Sequence, residues 1–332
     1  MKILKYISIL LFTILIGVVG YIYSLTFTPH GRLNWGQALF LKMGDGAVGQ
    51  IEQLKKMSVS ERAHTADAVA VNLDGLHIDT LKITKDSLTT YIFKPKKLAK
   101  NSPVVVFFHG GGFTLPWTNI SAVGASRFSR VFNTIVVAVD YRVAPEHPFP
   151  MPNNDCYATL LWTIANIKDW GGNPNQIILA GGSAGATLAA TVAIKAMRQH
   201  LTNIKYQILD CPVTYLPFQT DSYQKLKSKN QEAEKYALES YLPNIADRSN
   251  PLALPYLADS LSNLPPTYIV TCEFDPIKDT GRDYAIKLKN AKVPVIHQEM
   301  KGMIHSMAGP FNEKDRTELC AEIAKASQKY VK

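Results

Sequence analysis

Long blocks of like charge are missing from this sequence, and with them the footprint of a nucleic-acid-binding surface. The net charge of +9 comes from lysines scattered along the chain. The densest cluster, Lys94-Pro95-Lys96-Lys97, has no interleaved aromatic residue and reads as a solvated loop between strands. Cysteine is scarce: Cys156, Cys211, Cys272 and Cys320 lie too far apart for a zinc site or a disulfide scaffold. Cys211 and Cys272 fall in or beside apolar runs and read as core thiols, so the count leaves the redox compartment open. No Cys/His/carboxylate cluster has metal-ligand spacing, and no glycine-rich loop has the spacing that cradles phosphate. Internal repeats and low-complexity segments are absent too. An ordinary globular composition remains, 46% apolar and 19% charged over 332 residues, which permits an enzyme of one catalytic domain behind an N-terminal appendage.

That appendage carries the one long apolar run. Lys2 and Lys5 precede a stretch from Ile7 to Phe27 interrupted only by glycines and hydroxyl side chains, about the 20 residues a membrane-spanning helix needs. A cleaved signal peptide has a shorter apolar region and a small-residue site, for which Val18 and Gly20 are a poor match. The run favours an uncleaved signal anchor over residues 1–30. A secreted or periplasmic protein after cleavage is the alternative. The terminal amine, Lys2 and Lys5 outweigh the sparser Arg32 and Lys42 beyond the run, which places the N-terminus in the cytoplasm and the body across the membrane.

Leu33 to His64 reads as helical, with Ser58 before Glu61 as a capping pair, and residues 31–68 could form part of a cover over the active site. Val69 to Pro95 alternates apolar and polar residues in short runs broken by Asp74-Gly75 and Lys85-Asp86, which predicts antiparallel strands and turns. Beyond it the pattern becomes short apolar, β-branched runs: Val104 to Phe108, Ile135 to Val139, Ile177 to Ala180, Tyr206 to Leu209 and Tyr268 to Thr271. Strands without a polar face are covered on both sides, as in parallel sheets. Helical composition at Asp155 to Ile167, Ala184 to His200 and Thr280 to Ala291 supplies the cover. The expected fold is α/β, a mostly parallel central sheet flanked by helices, over residues 69–332. A charged, helix-prone segment with several prolines, Pro217 to Ala258, breaks the rhythm and reads as an inserted cap.

The sharpest local pattern is Gly181-Gly182-Ser183-Ala184-Gly185, directly after the strand Ile177-Ile178-Leu179-Ala180 and directly before a small-residue helix. A nucleophile on a tight strand-to-helix turn needs neighbours without colliding side chains, which glycine on both flanks provides. By itself the pattern also fits a structural glycine-rich turn. His109-Gly110-Gly111-Gly112 follows Val104-Val105-Val106-Phe107-Phe108 at an expected strand end. Its glycines would let backbone N–H donors approach an oxyanion, each donor contributing about 3–4 kcal/mol.

Tyr141-Arg142-Val143-Ala144-Pro145-Glu146-His147-Pro148-Phe149-Pro150 and Asp169-Trp170-Gly171-Gly172-Asn173-Pro174 join these two motifs in order. Together they resemble the hormone-sensitive-lipase-like family of α/β-hydrolases, from about Val69 to the C-terminus. Members with an N-terminal signal anchor, of the arylacetamide deacetylase type, are the nearest architectural parallel. The resemblance implies a serine carboxylic-ester hydrolase with Ser183 as nucleophile and the backbone N–H groups of Gly111, Gly112 and Ala184 as oxyanion donors. It leaves His109 to support the loop and the stretch around His147 to underpin the site. The family's acid lies in a Glu-x-Asp-Pro segment, matched by Glu273-Phe274-Asp275-Pro276, which implies Asp275. Asp279 fits a structural or capping role better. The base lies about thirty residues on, where Lys301-Gly302-Met303-Ile304-His305-Ser306-Met307 implies His305. The order Ser183, Asp275, His305 is the one α/β-hydrolases use.

Two departures stand out. Gly182 replaces the aspartate that usually precedes the nucleophile, and Phe113-Thr114-Leu115-Pro116-Trp117 differs from the usual stretch after the oxyanion glycines. The implied chemistry needs no cofactor and no metal. Its partners are a small-molecule ester of short to medium chain and, through the N-terminal segment, a membrane; oligomeric state is left open. An amidase or deacetylase, or a lipase, would share the triad. A hydrolase-fold ligand-binding protein without turnover is disfavoured by the retained His305 and oxyanion glycines.

Overall fold

β-Branched and aromatic runs that leave no polar face form the centre of the computed structural model, which describes residues 2–43, 53, 55–67, 69–83, 88–226, 231–307 and 310–331. Eight strands make one sheet: β1 (Leu76–Ile83), β2 (Leu88–Pro95), β3 (Ser102–Phe108), β4 (Ile135–Val139), β5 (Gly172–Gly182), β6 (Ile204–Asp210), β7 (Thr267–Cys272) and β8 (Val295–Met300). Their order is β8-β7-β6-β5-β3-β4-β2-β1. β2 pairs antiparallel with both β1 and β4, and every other pairing is parallel.

The two-residue period of a strand sends alternate side chains to opposite faces. Val106, Phe108, Leu179, Leu209 and Ile269 join one buried cluster. Val105, Phe107, Ile178, Ala180, Ile208 and Val270 join the other. Helices α5 (Met151–Asn166), α6 (Ala184–Arg198) and α9 (Lys278–Asn290) supply Leu160, Leu188 and Leu288 to the first cluster. Helices α4 (Asn119–Phe132) and α10 (Glu313–Ser327) supply Ala125, Leu319 and Ile323 to the second. Burying a Val, Leu or Phe fully contributes about 1.5–3 kcal/mol, so these continuous runs fix the sheet and hold its loop-bearing edge rigid.

Before the sheet, α1 (Lys2–Leu25) has no buried residue from Leu4 to Leu25 and leads through a short antiparallel ribbon, Phe27–Thr28 with Gly31–Arg32, into α2 (Trp35–Met43). α3 (Val59–Ala63) starts at Ser58, whose hydroxyl accepts from Glu61 N while Glu61 accepts from Ser58 N, the expected capping box. Residues 44–52 of the expected helical stretch lie outside the described residues. Arg62 of α3 is buried and reaches Glu146 at 2.5 Å, which ties α3 to the Pro-Glu-His-Pro stretch.

Two expectations change. Val69 to Leu73 is not a strand, and Asp74-Gly75 turns the chain into β1 rather than between two strands; one β-hairpin carries the whole alternation. Its proposed turn at Lys85-Asp86 lies outside the described residues. β8 was not expected, because an edge strand built from Val295 to Met300 carries His297, Gln298 and Glu299 and has no apolar run. Between β6 and β7 the chain forms α7 (Asp221–Lys225), α8 (Gln231–Tyr241) and several 3-10 turns, where an insertion was expected; residues 227–230 are outside the described set.

Candidate active site

Ser183 stands between β5 and α6 at φ 53°, ψ −121°, a left-handed backbone that a non-glycine residue adopts only under constraint. The constraint is visible on both sides. Ser183 N donates to Asp210 O at 2.7 Å across the sheet. A Cβ on Gly185 would stand 2.0 Å from Phe108 O, and one on Gly181 would stand 2.3 Å from Gly185, so only glycine lets α6 enter this close to β3 and β5.

His305 Nε2 lies 2.8 Å from Ser183 Oγ, and His305 Nδ1 lies 2.7 Å from Asp275 Oδ2. Asp275 is 1% exposed and its other oxygen accepts from Ile277 N at 3.0 Å. A hydroxyl, an imidazole and a buried carboxylate in this line can move a proton from oxygen to nitrogen while the carboxylate holds the ring. Burial of the ring opposes its cation. The Asp275 carboxylate, by charge and hydrogen bond, and the Cys211 thiol outweigh that and raise the His305 pKa well above its ordinary value.

The loops carrying Asp275 and His305 are stitched together. Glu273 N donates to Met300 O, Phe274 N to Met303 O, and Gly302 N to the Glu273 carboxylate at 2.8 Å. The Glu-x-Asp-Pro spacing therefore has a local cause: Glu273 clamps one loop to the other while Asp275 faces the ring. Asp279 is elsewhere. It accepts from Ser222 N at 2.8 Å and pairs with Arg282 at 2.6 Å.

Gly111 and Gly112 adopt φ +118° and +59° beside the nucleophile turn, and Ala184 opens α6. A Cβ on Gly110 would stand 3.4 Å from Ser183 Cβ, which measures how near this loop comes. His109 is fully buried, stacks on Tyr141 at 4.1 Å and donates from Nδ1 to Gly110 O, while Tyr141 Oη donates to His109 O. Burial lowers its pKa. Phe113 stacks on Tyr241 of α8 at 3.8 Å, and Gly112 faces Ala237, so the segment between β6 and β7 closes over this loop.

Three neighbours of the site were not legible in the sequence. Asp210, at the end of β6, places Oδ2 3.6 Å from where a Cβ on Gly182 would be. A carboxylate at position 182 would meet a second one there. Burial raises the Asp210 pKa, against the opposing charge of His305. Cys211 accepts from Ser306 N at 3.4 Å and lies 3.7 Å from Cys272. Gln37, from α2, accepts from Ile304 N at 3.0 Å. None of the three stands in a motif.

Cys211, Asp275 and His305 are the grouping of metal-ligand atom types among the described residues, within 4.8 Å of one another. The carboxylate and imidazole already bond each other. The adjacent Cys272 thiol and burial push the Cys211 thiol well above its ordinary pKa, the opposite of what a thiolate ligand requires.

The sheet order, the strand-to-helix serine turn and the crossing loops define an α/β-hydrolase. A family model for the alpha/beta hydrolase fold matches residues 105–309. A carboxylesterase of Mycobacterium tuberculosis is 34% identical over 251 residues, covering 70% of this chain and 76% of that protein. An arylesterase of Saccharolobus solfataricus is 30% identical over 234 residues, covering 69% and 76%. The solved structure of a thermostable esterase from Pseudomonas putida superposes with a TM-score of 0.79 at 26% identity, covering 92% of this chain and 99% of that one. The chain belongs to the hormone-sensitive-lipase-like, carboxylesterase-type family of α/β-hydrolases.

Proposed function

We propose that this protein is a serine carboxylic-ester hydrolase acting through Ser183, His305 and Asp275. The observation that carries the reading is the single imidazole spanning Ser183 Oγ at 2.8 Å and Asp275 Oδ2 at 2.7 Å. His305 takes the Ser183 proton as the oxygen attacks the ester carbonyl. Asp275 holds the ring and its cation, and the N–H groups of Gly111, Gly112 and Ala184 receive the oxyanion. The carbonyl re-forms as the alcohol leaves with the proton from His305. Water, deprotonated by His305, then attacks the acyl-serine, and Ser183 takes that proton back from His305 as the acid is released.

The substrate class is lipophilic esters of short to medium acyl chain. Support comes from the ester-cleaving relatives and from α8, whose Ala237 and Tyr241 close over the oxyanion loop. The proposed organisation is residues 1–30 as a signal anchor or signal peptide, 31–68 as an N-terminal helical segment, and 69–332 as the catalytic domain with a cap at about 217–258. The apolar stretch Leu4–Leu25, with mean hydropathy 2.2 and none of it buried, supports the anchor.

p-Nitrophenyl esters from acetate to palmitate, given to the wild type and to Ser183→Ala, test the reading. We expect an optimum below palmitate and loss of activity by several orders of magnitude in the variant. Equal activity in Ser183→Ala would sink the mechanism, and a palmitate optimum would make the protein a lipase.

A further inference from the structure

We infer that Gln37 is a positioning residue for His305, so that the segment joining the apolar N-terminal helix to the body is a working part of the active site. This rests on His305 as the base proposed above. The residue is fully buried, and an amide side chain is buried at a cost unless its polar atoms are bonded. Its Oε1 accepts at 3.0 Å from the N–H of Ile304, the residue immediately before His305.

The contact is one of a set that seats the start of α2 in the base loop. Asn34 N donates to Gly302 O at 2.8 Å. Gly302 stands at φ +69°, and a Cβ there would come within 2.8 Å of Asn34 N and 3.3 Å of Arg32 O. On the other side of His305, Trp35 meets the ring of Phe311 at 5.9 Å. A Cβ on Gly36 would stand 2.8 Å from Phe311 Cβ. Residues 32–37 thus touch the chain both before and after the imidazole.

The base loop needs such a hold. Ser306 and Met307 both adopt φ 49° without being glycine, a backbone that persists only when its surroundings over-determine it. Just after His305, Ser306 N donates to the Cys211 thiol at 3.4 Å, and sulfur is a weak acceptor. The Gln37 carbonyl is the stronger acceptor, and it fixes the Met303–Ile304 peptide, one residue ahead of the His305 Cα. Shifting that peptide lengthens the 2.8 Å reach to Ser183 Oγ while leaving the ester-binding surfaces in place.

The full-length protein in detergent carries the test. Gln37→Met keeps the side chain's length and removes the oxygen, whereas Gln37→Glu, neutral when buried, keeps an acceptor at the same reach. We expect Gln37→Met to lower kcat on p-nitrophenyl butyrate about tenfold to a hundredfold, with KM little changed, and to slow fluorophosphonate labelling of Ser183 in parallel. Gln37→Glu should recover most of both rates. Should Gln37→Met lose its fold, Gln37→Asn keeps the amide and retracts its oxygen by one methylene, and should give the same kcat fall in smaller measure. A melting temperature that drops while kcat per folded molecule stays at the wild-type value would overturn the inference. His305→Ala separates the two levels. An inactive His305→Ala beside a fully active Gln37→Met defeats the positioning role alone, and an active His305→Ala defeats the triad and the positioning role together.

Discussion

Two aspartates four positions apart show what a residue's place does to its role. Asp275 faces His305 Nδ1 at 2.7 Å, whereas Asp279 is spent on Ser222 N and Arg282. Asp275→Asn should keep the fold and lower kcat by about 10⁴, because the amide favours the wrong imidazole tautomer. Asp279→Asn should do the reverse, losing about 1–3 kcal/mol of stability through a weakened buried pair while kcat stays near the wild-type value. Steady-state kinetics beside urea unfolding distinguishes them, and a collapse of kcat in Asp279→Asn would exchange their roles. The ring itself sets a pH limit. Asp275 from the β7–α9 loop and Asp210 and Cys211 from the end of β6 face it, and its pKa is raised. As the proposed base it works only when neutral, so the acid limb of kcat/KM should fall at a pH above 6.5, the ordinary histidine value. The same shift stabilises the fold below the unfolded-state pKa, and that contribution is lost as pH rises through the raised one. A limb at or below pH 6.5 would contradict the shift.

At the scale of elements, what was legible in the sequence were features with a local cause. Ile135–Val139 was readable to the residue because a strand covered on both faces has no polar position to blur its ends. The serine turn was readable because close approach of α6 to β3 excludes side chains at Gly181 and Gly185. β8 was not, since its inward contacts come from pairing with β7 and its outer side is open to polar residues. Nor were α4 and α10 expected, although they cover one whole face of the sheet through Ala125, Leu319 and Ile323. α4 interleaves its apolar residues with serines and arginines, and α10 is largely charged, so neither carries a continuous apolar run. The three site neighbours outside any motif fail for the same physical reason. Gln37 and Ile304 meet across more than half the chain, and the contact of Asp210 with Gly182 depends on register between β5 and β6. Such pairings have no sequence signature of their own.

The whole molecule adds the question of which surface meets the bilayer. α1 offers a span from Leu4 to Leu25, and its body-side end carries a concentration of aromatic residues. Tyr21, Tyr23, Phe27 and Trp35 are all more than half exposed, and the Arg32 guanidinium lies 4.5 Å from the Tyr23 ring and 5.3 Å from the Phe27 ring. Amphipathic rings gather at the headgroup level, and a cation over them can keep its charge in water while its stem lies on apolar surface. Leu41 and Met43, exposed on α2, extend the same apolar border. With α1 as the proposed anchor and α2 seated on the His305 loop, this border would set the His305 side of the site nearest the membrane. In the proposed orientation, argued from Lys2 and Lys5 at the other end, the N-terminus is cytoplasmic and the catalytic body lies across the membrane. The full-length protein should therefore stay in the membrane pellet after alkaline carbonate extraction. In sealed vesicles with their cytoplasmic side outward, added protease should leave the body intact until detergent opens them. A body digested without detergent would reverse the orientation, and a soluble body beginning near residue 20 would make the helix a cleaved signal peptide.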